Sequence, residues 1–549
     1  MIRLLSVLMI FFVSISCDGR RGSRDLSLNT FFSDISEEPT GSAWDSSEFD
    51  VLFTNPVCPF QEFVSYKPRG GYAFKEIGDK WVYPSREEVK DVTVPVMGIP
   101  TVGGEFRKGI PPNVYCTNKD FAFSTKRLPE NSYRKKENPM NRIEDWISRT
   151  REQDEIFLAS FSFTSRQLKE WLCAAAKERG VKVKVLINVN EDGSPTVDAI
   201  KSECPEIEMI EASSSARLAH LKFMLVFYNN SNHDEKIRKD GFLSFQTANV
   251  SFSGFWAHHE TWNFVRKDRS NWFIQDHICL RDAITRETME NMLEFSDRIS
   301  KCRSEKGINS RREPSLVSNY FIPVSGGEYN DKVKIKEILE EIGRAKTLKI
   351  AAHHIAYEDI YEALIQRLKN AENDGFTLEI VIDSQIFWTG YTKNKKIVVD
   401  DIAYFSPDDY TGYCHYGKKN DSIKRSCSMY NISEFYGKFG LKRLISEGAR
   451  VRYFESNHRD YKFFHNKFII SEYKSPEGVI SGSVFVGAGN FSKAAFERNL
   501  ENYYLIKIPH VYEEYKKQFD YLFSLAVEKD SLPITWDYAV KAQEYSPAP

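Results

Sequence analysis

The sequence predicts an α/β protein built from two copies of one unit. Three observations carry that reading. Strand-like and helix-like segments alternate from about residue 140 onward, the order of those segments recurs, and a set of polar residues recurs with them at fixed spacing. Alternation of strand and helix predicts a mainly parallel or mixed sheet with helices on both faces. At 549 residues the chain is too long for one compact core and suits two or three domains. Its 41% hydrophobic and 14% aromatic content supplies globular cores and excludes global disorder.

The first elements are not part of that pattern. Arg3 precedes an apolar run from Leu4 to Ile15, too short to span a bilayer but suited to a signal peptide over residues 1–16. Ser14-Ile15-Ser16 offers a small-x-small cleavage site, and Cys17 follows it, as in a bacterial lipoprotein signal, although Ser14 stands where Leu is usual. Residues 18 to about 45 read as a flexible tether, and 46 to about 135 as an irregular, Pro-, Gly- and aromatic-rich stretch. Together, residues 17–135 form a tether and loop-rich N-terminal extension.

The first unit is expected over 136–310. Asn141–Arg149 reads as a helix and Ile156–Phe163 as a strand. Arg166–Arg179 has apolar spacing near 3.6, and Gly180 closes it as a C-cap. Val181–Asn188, Leu221–Tyr228, Phe242–Thr247 and Thr261–Val265 read as strands, the second apolar enough to be buried on both faces. The second unit is expected over 311–549, with Arg311 to Asn330 as the connection. Its helices are Val333–Ala345, Asp359–Asn373 and Phe435–Glu447. Its strands are Thr347–Ala352, Thr377–Asp383, Ala449–Phe454, Phe463–Ile470, Val484–Gly487 and Tyr503–Ile508. A stretch from about 386 to 434 lies between a strand and a helix, where insertions form surface loops.

The repeated polar residues stand about 240 residues apart. The first copy is His220-Leu221-Lys222, then Asn249-Val250-Ser251, then Glu260; the second is His465-Asn466-Lys467, then Asn490-Phe491-Ser492, then Glu501. Asn and Glu are eleven apart in both copies (260 − 249 = 501 − 490 = 11). The residue types form a chemical set. One neutral imidazole can attack phosphorus, and a second can protonate the departing oxygen and later activate water. Two lysines and two asparagines supply donors for phosphoryl oxygens, and a Glu on the far ring nitrogen fixes an imidazole's tautomer. That set is complete for phosphodiester cleavage without a metal or another cofactor. The His258-His259-Glu260 run also invites a metal reading, but the repeat already accounts for Glu260. His353-His354 follow a strand whose carboxyl end faces the ligand crevice, so a substrate role and a structural role both stay open. The aromatic group Phe387-Trp388 and Tyr391 has no assignment.

On these residues the chain resembles the phospholipase D superfamily, whose motif reads HxKxxxxD, then a small-residue turn containing Asn, then an acid. The second copy runs His465-Asn466-Lys467 to Glu472, with Glu472 in the Asp position, then Gly487-Ala488-Gly489-Asn490 and Asn499-Leu500-Glu501. The first is looser: Phe227 takes the Asp position, the turn is Thr247-Ala248-Asn249, and His258-His259-Glu260 replaces Asn-x-Glu. A tyrosyl-DNA phosphodiesterase-like branch of the family lacks that acid in both copies, and in the family it is chiefly structural. The resemblance implies two units packed face to face around one shared site, so that a monomer suffices. It implies His220 as nucleophile and His465 as general acid, although the motifs alone permit the reverse. Lys222, Lys467, Asn249 and Asn490 would hold the phosphate, and Glu260 and Glu501 would orient the imidazoles.

Composition bounds the rest. Lys plus Arg is 75 and Asp plus Glu is 77, so the whole chain has no pull toward nucleic acid or an anionic surface. Nine cysteines become an even eight if Cys17 is lipidated, and export implies disulfides; nearest-neighbour pairing gives 58–116, 173–204, 279–302 and 414–427. The expectation is an exported, lipid-anchored phosphodiesterase acting through a phosphohistidine on phospholipids, by hydrolysis or transfer. An extracytoplasmic nuclease or DNA-adduct phosphodiesterase is the rival, and an inactive binding lipoprotein the other.

Overall fold

The computed structural model describes residues 44–54, 139–189, 195–213, 218–308 (except 252–253 and 256–257), 316–322, 331–383 (except 354), 441–454, 464–474 and 480–526. It also gives the backbone of short strands within 65–107 and 391–427. The signal segment, the tether, the 58–116 pair, His354 and Phe387-Trp388 lie outside the described residues, as do the side chains of Tyr391, Cys414 and Cys427.

Two seven-stranded sheets form the body. The first holds β1 (Phe49–Thr54), β2 (Glu155–Ser160), β3 (Lys182–Val189), β4 (Glu208–Ser213), β5 (Phe223–Phe227), β6 (Asp240–Gln246) and β7 (Glu260–Asp268). The second holds β8 (Val317–Ile322), β9 (Thr347–Ala352), β10 (Thr377–Asp383), β11 (Arg450–Phe454), β12 (Lys467–Lys474), β13 (Ile480–Gly487) and β14 (Glu501–Ile506). Their orders are β1-β7-β6-β5-β2-β3-β4 and β8-β14-β13-β12-β9-β10-β11. Adding seven to each label of the first sheet gives the second, so the repeat extends to the whole topology. In each sheet three successive strands, β2-β3-β4 and β9-β10-β11, run parallel, and all other neighbours are antiparallel.

Side-chain alternation decides which face each strand gives to which core. In β5, Phe223, Leu225 and Phe227 enter one cluster while Met224 and Val226 enter another. In β12, Phe468 and Ile470 join the first of these and Ile469 a third. The shared cluster takes residues from both sheets, so the two units pack sheet against sheet, and Phe245 stacks on Tyr504 across the seam with ring centroids 3.6 Å apart. The outer face of the first sheet is covered by α1 (Pro139–Ser148), α2 (Arg166–Arg179) and α3 (Pro195–Glu203). The outer face of the second is covered by α6 (Asp331–Arg344), α7 (Glu358–Lys369) and α8 (Leu441–Ser446). Both faces are covered, which is why the central strands read as unbroken apolar runs. Helix α2 shows how local chemistry sets the boundaries. The Ser165 side chain accepts the Leu168 N–H at its start, and Gly180 takes φ 68° at its end, the left-handed conformation that Gly adopts without a Cβ penalty.

Helices α4 (Trp272–Ala283) and α5 (Met292–Glu305) join the first unit, and α9 (Pro509–Leu525) the second; all three feed the shared core. Asp276 on α4 accepts a bidentate pair from Arg303 on α5 at 2.6 and 2.9 Å, and the Asn319 amide on β8 donates to the same carboxylate at 2.6 Å. The Tyr515 hydroxyl on α9 donates to Asn263 on β7 at 2.9 Å.

Two edge strands lie where the sequence reading placed no regular element. β1 falls inside the stretch read as loop-rich, and β8 inside the expected connection; each pairs antiparallel with the last strand of its sheet. Both are six residues long, too short for a period to stand out beside polar neighbours. The 386–434 stretch is not all loop: Tyr391–Lys393, Lys396–Val399 and Ile402–Phe405 form an antiparallel meander, and Cys414–Lys419 pairs with Ser422–Cys427. Disulfides join Cys173 to Cys204 and Cys279 to Cys302. Cys414 and Cys427 stand opposite each other in their hairpin.

Candidate active site

The two His-x-Lys motifs lead into β5 and β12, the matching central strands of the two sheets. Backbone bonds then lace each motif to the other unit. The His220 N–H donates to the Leu500 carbonyl at 2.9 Å, the Leu500 N–H to the Leu218 carbonyl at 2.9 Å, and the His465 N–H to the His259 carbonyl at 3.1 Å. Leu500 immediately precedes Glu501, and His259 precedes Glu260. The lacing therefore crosses the glutamates. His220 Nδ1 lies 2.7 Å from Glu501 Oε2, and His465 Nδ1 lies 2.7 Å from Glu260 Oε1. An ionised glutamate accepts, so with its partner carboxylate ionised each Nδ1 carries the hydrogen in the neutral ring, and the lone pair sits on Nε2.

The lysines are fully buried. Lys222 Nζ donates to His220 Nε2 at 2.8 Å and reaches the His220 and Ala488 carbonyls at 3.3 and 3.5 Å. Lys467 Nζ donates to the His465 carbonyl at 2.8 Å. The asparagines occupy matching tight turns: the Ser251 N–H donates to the Asn249 carbonyl at 2.9 Å, and the Ser492 N–H to the Asn490 carbonyl at 2.8 Å. Both Asn249 and Asn490 have a buried Oδ1 that accepts no hydrogen bond among the described residues. Buried amide oxygens are rarely left so, and a matched pair points to amide groups held for a ligand. Gly489 permits the second turn, since a Cβ there would lie 2.0 Å from Tyr503 Oη and 2.8 Å from Glu501 Cδ.

Burial and charge set the proton affinities. Burial pushes His220 well below the ordinary imidazole range, and Lys222 and Lys467 push the same way. Burial likewise lowers Lys222, against the pull of Glu501. Burial raises Glu501 to about 8, with Lys222 opposing. Burial acts upward on Glu260 too, but His465, a hydrogen bond from His258 and Lys467 outweigh it, and Glu260 is held well below the usual carboxylate range. The two glutamates thus differ in charge although their positions match. Lys222 Nζ reaches the Ala488 carbonyl in the turn that carries Asn490, which ties the first motif to the second.

In sequence the eight residues read from the repeat form two matched sets, His220, Lys222, Asn249 and Glu260, and His465, Lys467, Asn490 and Glu501; in space Glu501 serves His220 and Glu260 serves His465. The glutamates exchange partners, which spacing within one copy could not reveal. The supporting residues were not read from sequence. The Lys222 N–H donates to Asn502 Oδ1 at 2.8 Å, the Asn502 amide donates to Tyr504 Oη at 3.1 Å, and Tyr504 Oη meets His277 Nε2 at 2.9 Å. The Thr261 hydroxyl donates to Asn466 Oδ1 at 2.9 Å. Asn502 and Thr261 each directly follow a motif glutamate, which is the signal that could have found them. Of the open readings, His353 packs against His465, with ring centroids 5.5 Å apart. His258, Glu260 and His465 hold three ligand-type atoms within 4.8 Å of one another, a spacing compatible with a metal. Glu260 Oε1 already lies 2.7 Å from His465 Nδ1 and 3.4 Å from His258 Nδ1, and its Oε2 accepts the Thr247 hydroxyl at 2.7 Å. The missing acid has a packing explanation. Phe227 lies under the guanidinium groups of Arg269 and Arg281 at 4.8 and 5.4 Å, whereas Glu472 accepts from Tyr512 at 2.9 Å and meets Lys516 at 3.1 Å. A ring face in one unit and a carboxylate in the other take up cations away from the histidines.

Residues 338–523 match the family described as cardiolipin synthase, PLD-like domain. No curated protein sequence matches the chain. Among solved structures it is similar to phosphatidylserine synthase of Haemophilus influenzae Rd KW20, at 12% identity over 74% of this chain and 90% of that one, TM-score 0.44. It is also similar to yeast tyrosyl-DNA phosphodiesterase, at 11% identity over 64% and 84%, TM-score 0.36. With the polyphosphate kinase of Porphyromonas gingivalis the likeness is 12% over 74% of this chain, TM-score 0.39, and covers 51% of that longer chain.

Proposed function

Because the chain belongs to the phospholipase D superfamily, we propose that it cleaves phosphodiesters through a phosphohistidine, with phospholipids as substrates. The observation that carries the reading is the crossed pairing: each candidate imidazole has its Nδ1 held at 2.7 Å by a glutamate of the other unit. Two imidazoles with fixed tautomers, two buried lysines and two buried amides match what an in-line displacement at phosphorus needs.

The steps follow from these groups. His220, kept neutral by burial and two lysines, attacks phosphorus through Nε2. The N–P bond forms as the P–O bond to the leaving group breaks. Burial pushes His465 down to about 3 and the ionised Glu260 opposes it, so its protonated ring is a strong acid and gives its Nε2 proton to the departing oxygen. Neutral His465 then takes a proton from water or an alcohol. That oxygen attacks phosphorus, the N–P bond breaks, and both rings return to their first state. The two ammonium groups and the Asn249 and Asn490 amides hold the non-bridging oxygens, and Glu501 balances the charge that develops on His220.

Among the described residues no helix is long and apolar enough to cross a membrane. The apolar run before Cys17 supports export with a lipid anchor, which would keep the enzyme beside lipid substrate. The purified protein should release choline from phosphatidylcholine vesicles and nitrophenolate from bis(p-nitrophenyl) phosphate, and His220→Ala should do neither. Cleavage of single-stranded DNA with vesicles untouched would move the substrate to nucleic acid. No turnover of any of the three would sink the reading.

A further inference from the structure

The two halves of the site match in their motifs and differ in what surrounds them. Ala159 on β2 pairs with Phe223, and Ala351 on β9 pairs with Phe468. Phe161 and His353, each two residues on, therefore occupy the same place in the two units. Phe161 packs on His220 with ring centroids 4.9 Å apart, and His353 packs on His465 at 5.5 Å. The residues two before each glutamate differ in the same sense. Asn499 donates to Glu501 Oε1 at 3.1 Å, whereas His258 Nδ1 lies 3.4 Å from Glu260 Oε1, the oxygen that also takes His465 Nδ1. His258 and His465 lie with centroids 5.6 Å apart. The His220–Glu501 pair thus has an apolar ring on its imidazole and an amide on its carboxylate, and the His465–Glu260 pair has two further imidazoles.

We infer that His353 and His258 are positioning residues that make His465, rather than its matched partner His220, the proton carrier of the site. The inference rests on the phosphodiesterase reading and deepens it. A nucleophile needs a neutral ring against a low-dielectric wall, which Phe161 provides, and Lys222 Nζ holds the His220 Nε2 lone pair until a phosphate takes the lysine's place. A proton carrier needs neighbours that share and exchange charge. Glu260 binds both His465 and His258 through one oxygen, so a proton on either ring is stabilised by the same carboxylate. His353 is fixed in place by its backbone N–H, which donates to the Asn466 carbonyl at 3.0 Å. The titratable groups around His465 are Glu260 and His258 from the strand of the other unit and its approach, His353 from the end of β9, and Lys467 on β12. Burial pushes His465 down to about 3 against the pull of Glu260, and Lys467 and, to a lesser degree, His258 lower it further, which favours release to a leaving oxygen.

The test installs in each position the residue its counterpart carries: His353→Phe and His258→Asn. Phosphoenzyme formation is measured by rapid quench with an alkyl ester, whose leaving group needs a proton, and with a p-nitrophenyl ester, which needs little. Each variant should lower the alkyl-to-nitrophenyl rate ratio about tenfold. Imidazole NMR should show the His465 midpoint moving up in His258→Asn. An equal loss on both substrates, or an unchanged ratio, overturns the inference in favour of a purely structural role. Should either variant fail to fold, His353→Gln and His258→Gln carry the same comparison. Were the wild type to turn over no phosphodiester, the enzymatic reading would fall by itself. The NMR titration would then decide whether these two rings govern His465.

Discussion

Replacing Arg303 by methionine should be among the most damaging single changes outside the site. Arg303 is 2% exposed and Asp276 not at all. The guanidinium meets both carboxylate oxygens at 2.6 and 2.9 Å and lies 5.4 Å from the Phe321 ring centroid. Two effects compete here. Burying both charges costs several kcal/mol per ion, which their attraction and hydrogen bonds offset; removing one partner leaves the desolvation of the other uncompensated, about 3–5 kcal/mol. Arg303→Met should therefore lose about 3–5 kcal/mol in urea denaturation followed by tryptophan fluorescence. The Asp276→Leu/Arg303→Met double variant removes both desolvation terms and should recover to within about 1–2 kcal/mol of wild type. The reasoning is refuted if the double variant is as unstable as the single, because the loss would then be packing and not charge. Asn319 makes the outcome matter for the whole molecule: its amide ties the β8 edge strand of the second unit to this pair on the first.

Three further outcomes are expected. Glu501, raised to about 8 by burial, accepts the His220 Nδ1–H only when ionised, so kcat/KM should rise with pH through a midpoint near 8, and Glu501→Gln should remove that limb and lower the plateau. His277, pushed down to about 4 by burial, binds fewer protons folded than unfolded between pH 6.5 and about 4. Stability should therefore fall as pH drops through that window, by up to about 3 kcal/mol at 1.36 kcal/mol per pH unit, and a flat Tm profile over it would count against the burial. Reduction of the Cys173–Cys204 bridge, which spans 31 residues, releases chain entropy worth about 3–4 kcal/mol, so Cys173→Ala/Cys204→Ala should lower Tm, and alkylation of unreduced protein should leave both positions unlabelled.

Much of the fold was legible because the central strands are buried on both faces. Runs such as FMLVF in β5 have one reading, and Thr347–Ala352, Thr377–Asp383 and Arg166–Arg179 match the expected bounds. The edge strands β1 and β8 were not legible. They lie among polar and Pro-rich neighbours, and their place is set by pairing with β7 and β14 far away in sequence. In the site, fixed spacing exposed the eight polar residues of the repeat. It could not show that the glutamates exchange partners, because that follows from how the units dock. Nor could it rank His353 against an ordinary surface histidine; only the register that sets it opposite Phe161 does that.

The crossed glutamates also bear on what kind of symmetry this chain can give up. In a dimer of identical single units, any residue that suits one histidine is imposed on the other, because one gene writes both. Here each half completes the other's site, so neither half is sufficient alone, yet each position is encoded twice and can be altered once. Phe161 against His353, Asn499 against His258 and Phe227 against Glu472 are three such departures at matched places. Tandem arrangement thus lets a two-fold frame carry two chemically different imidazoles, a division of labour closed to a homodimer.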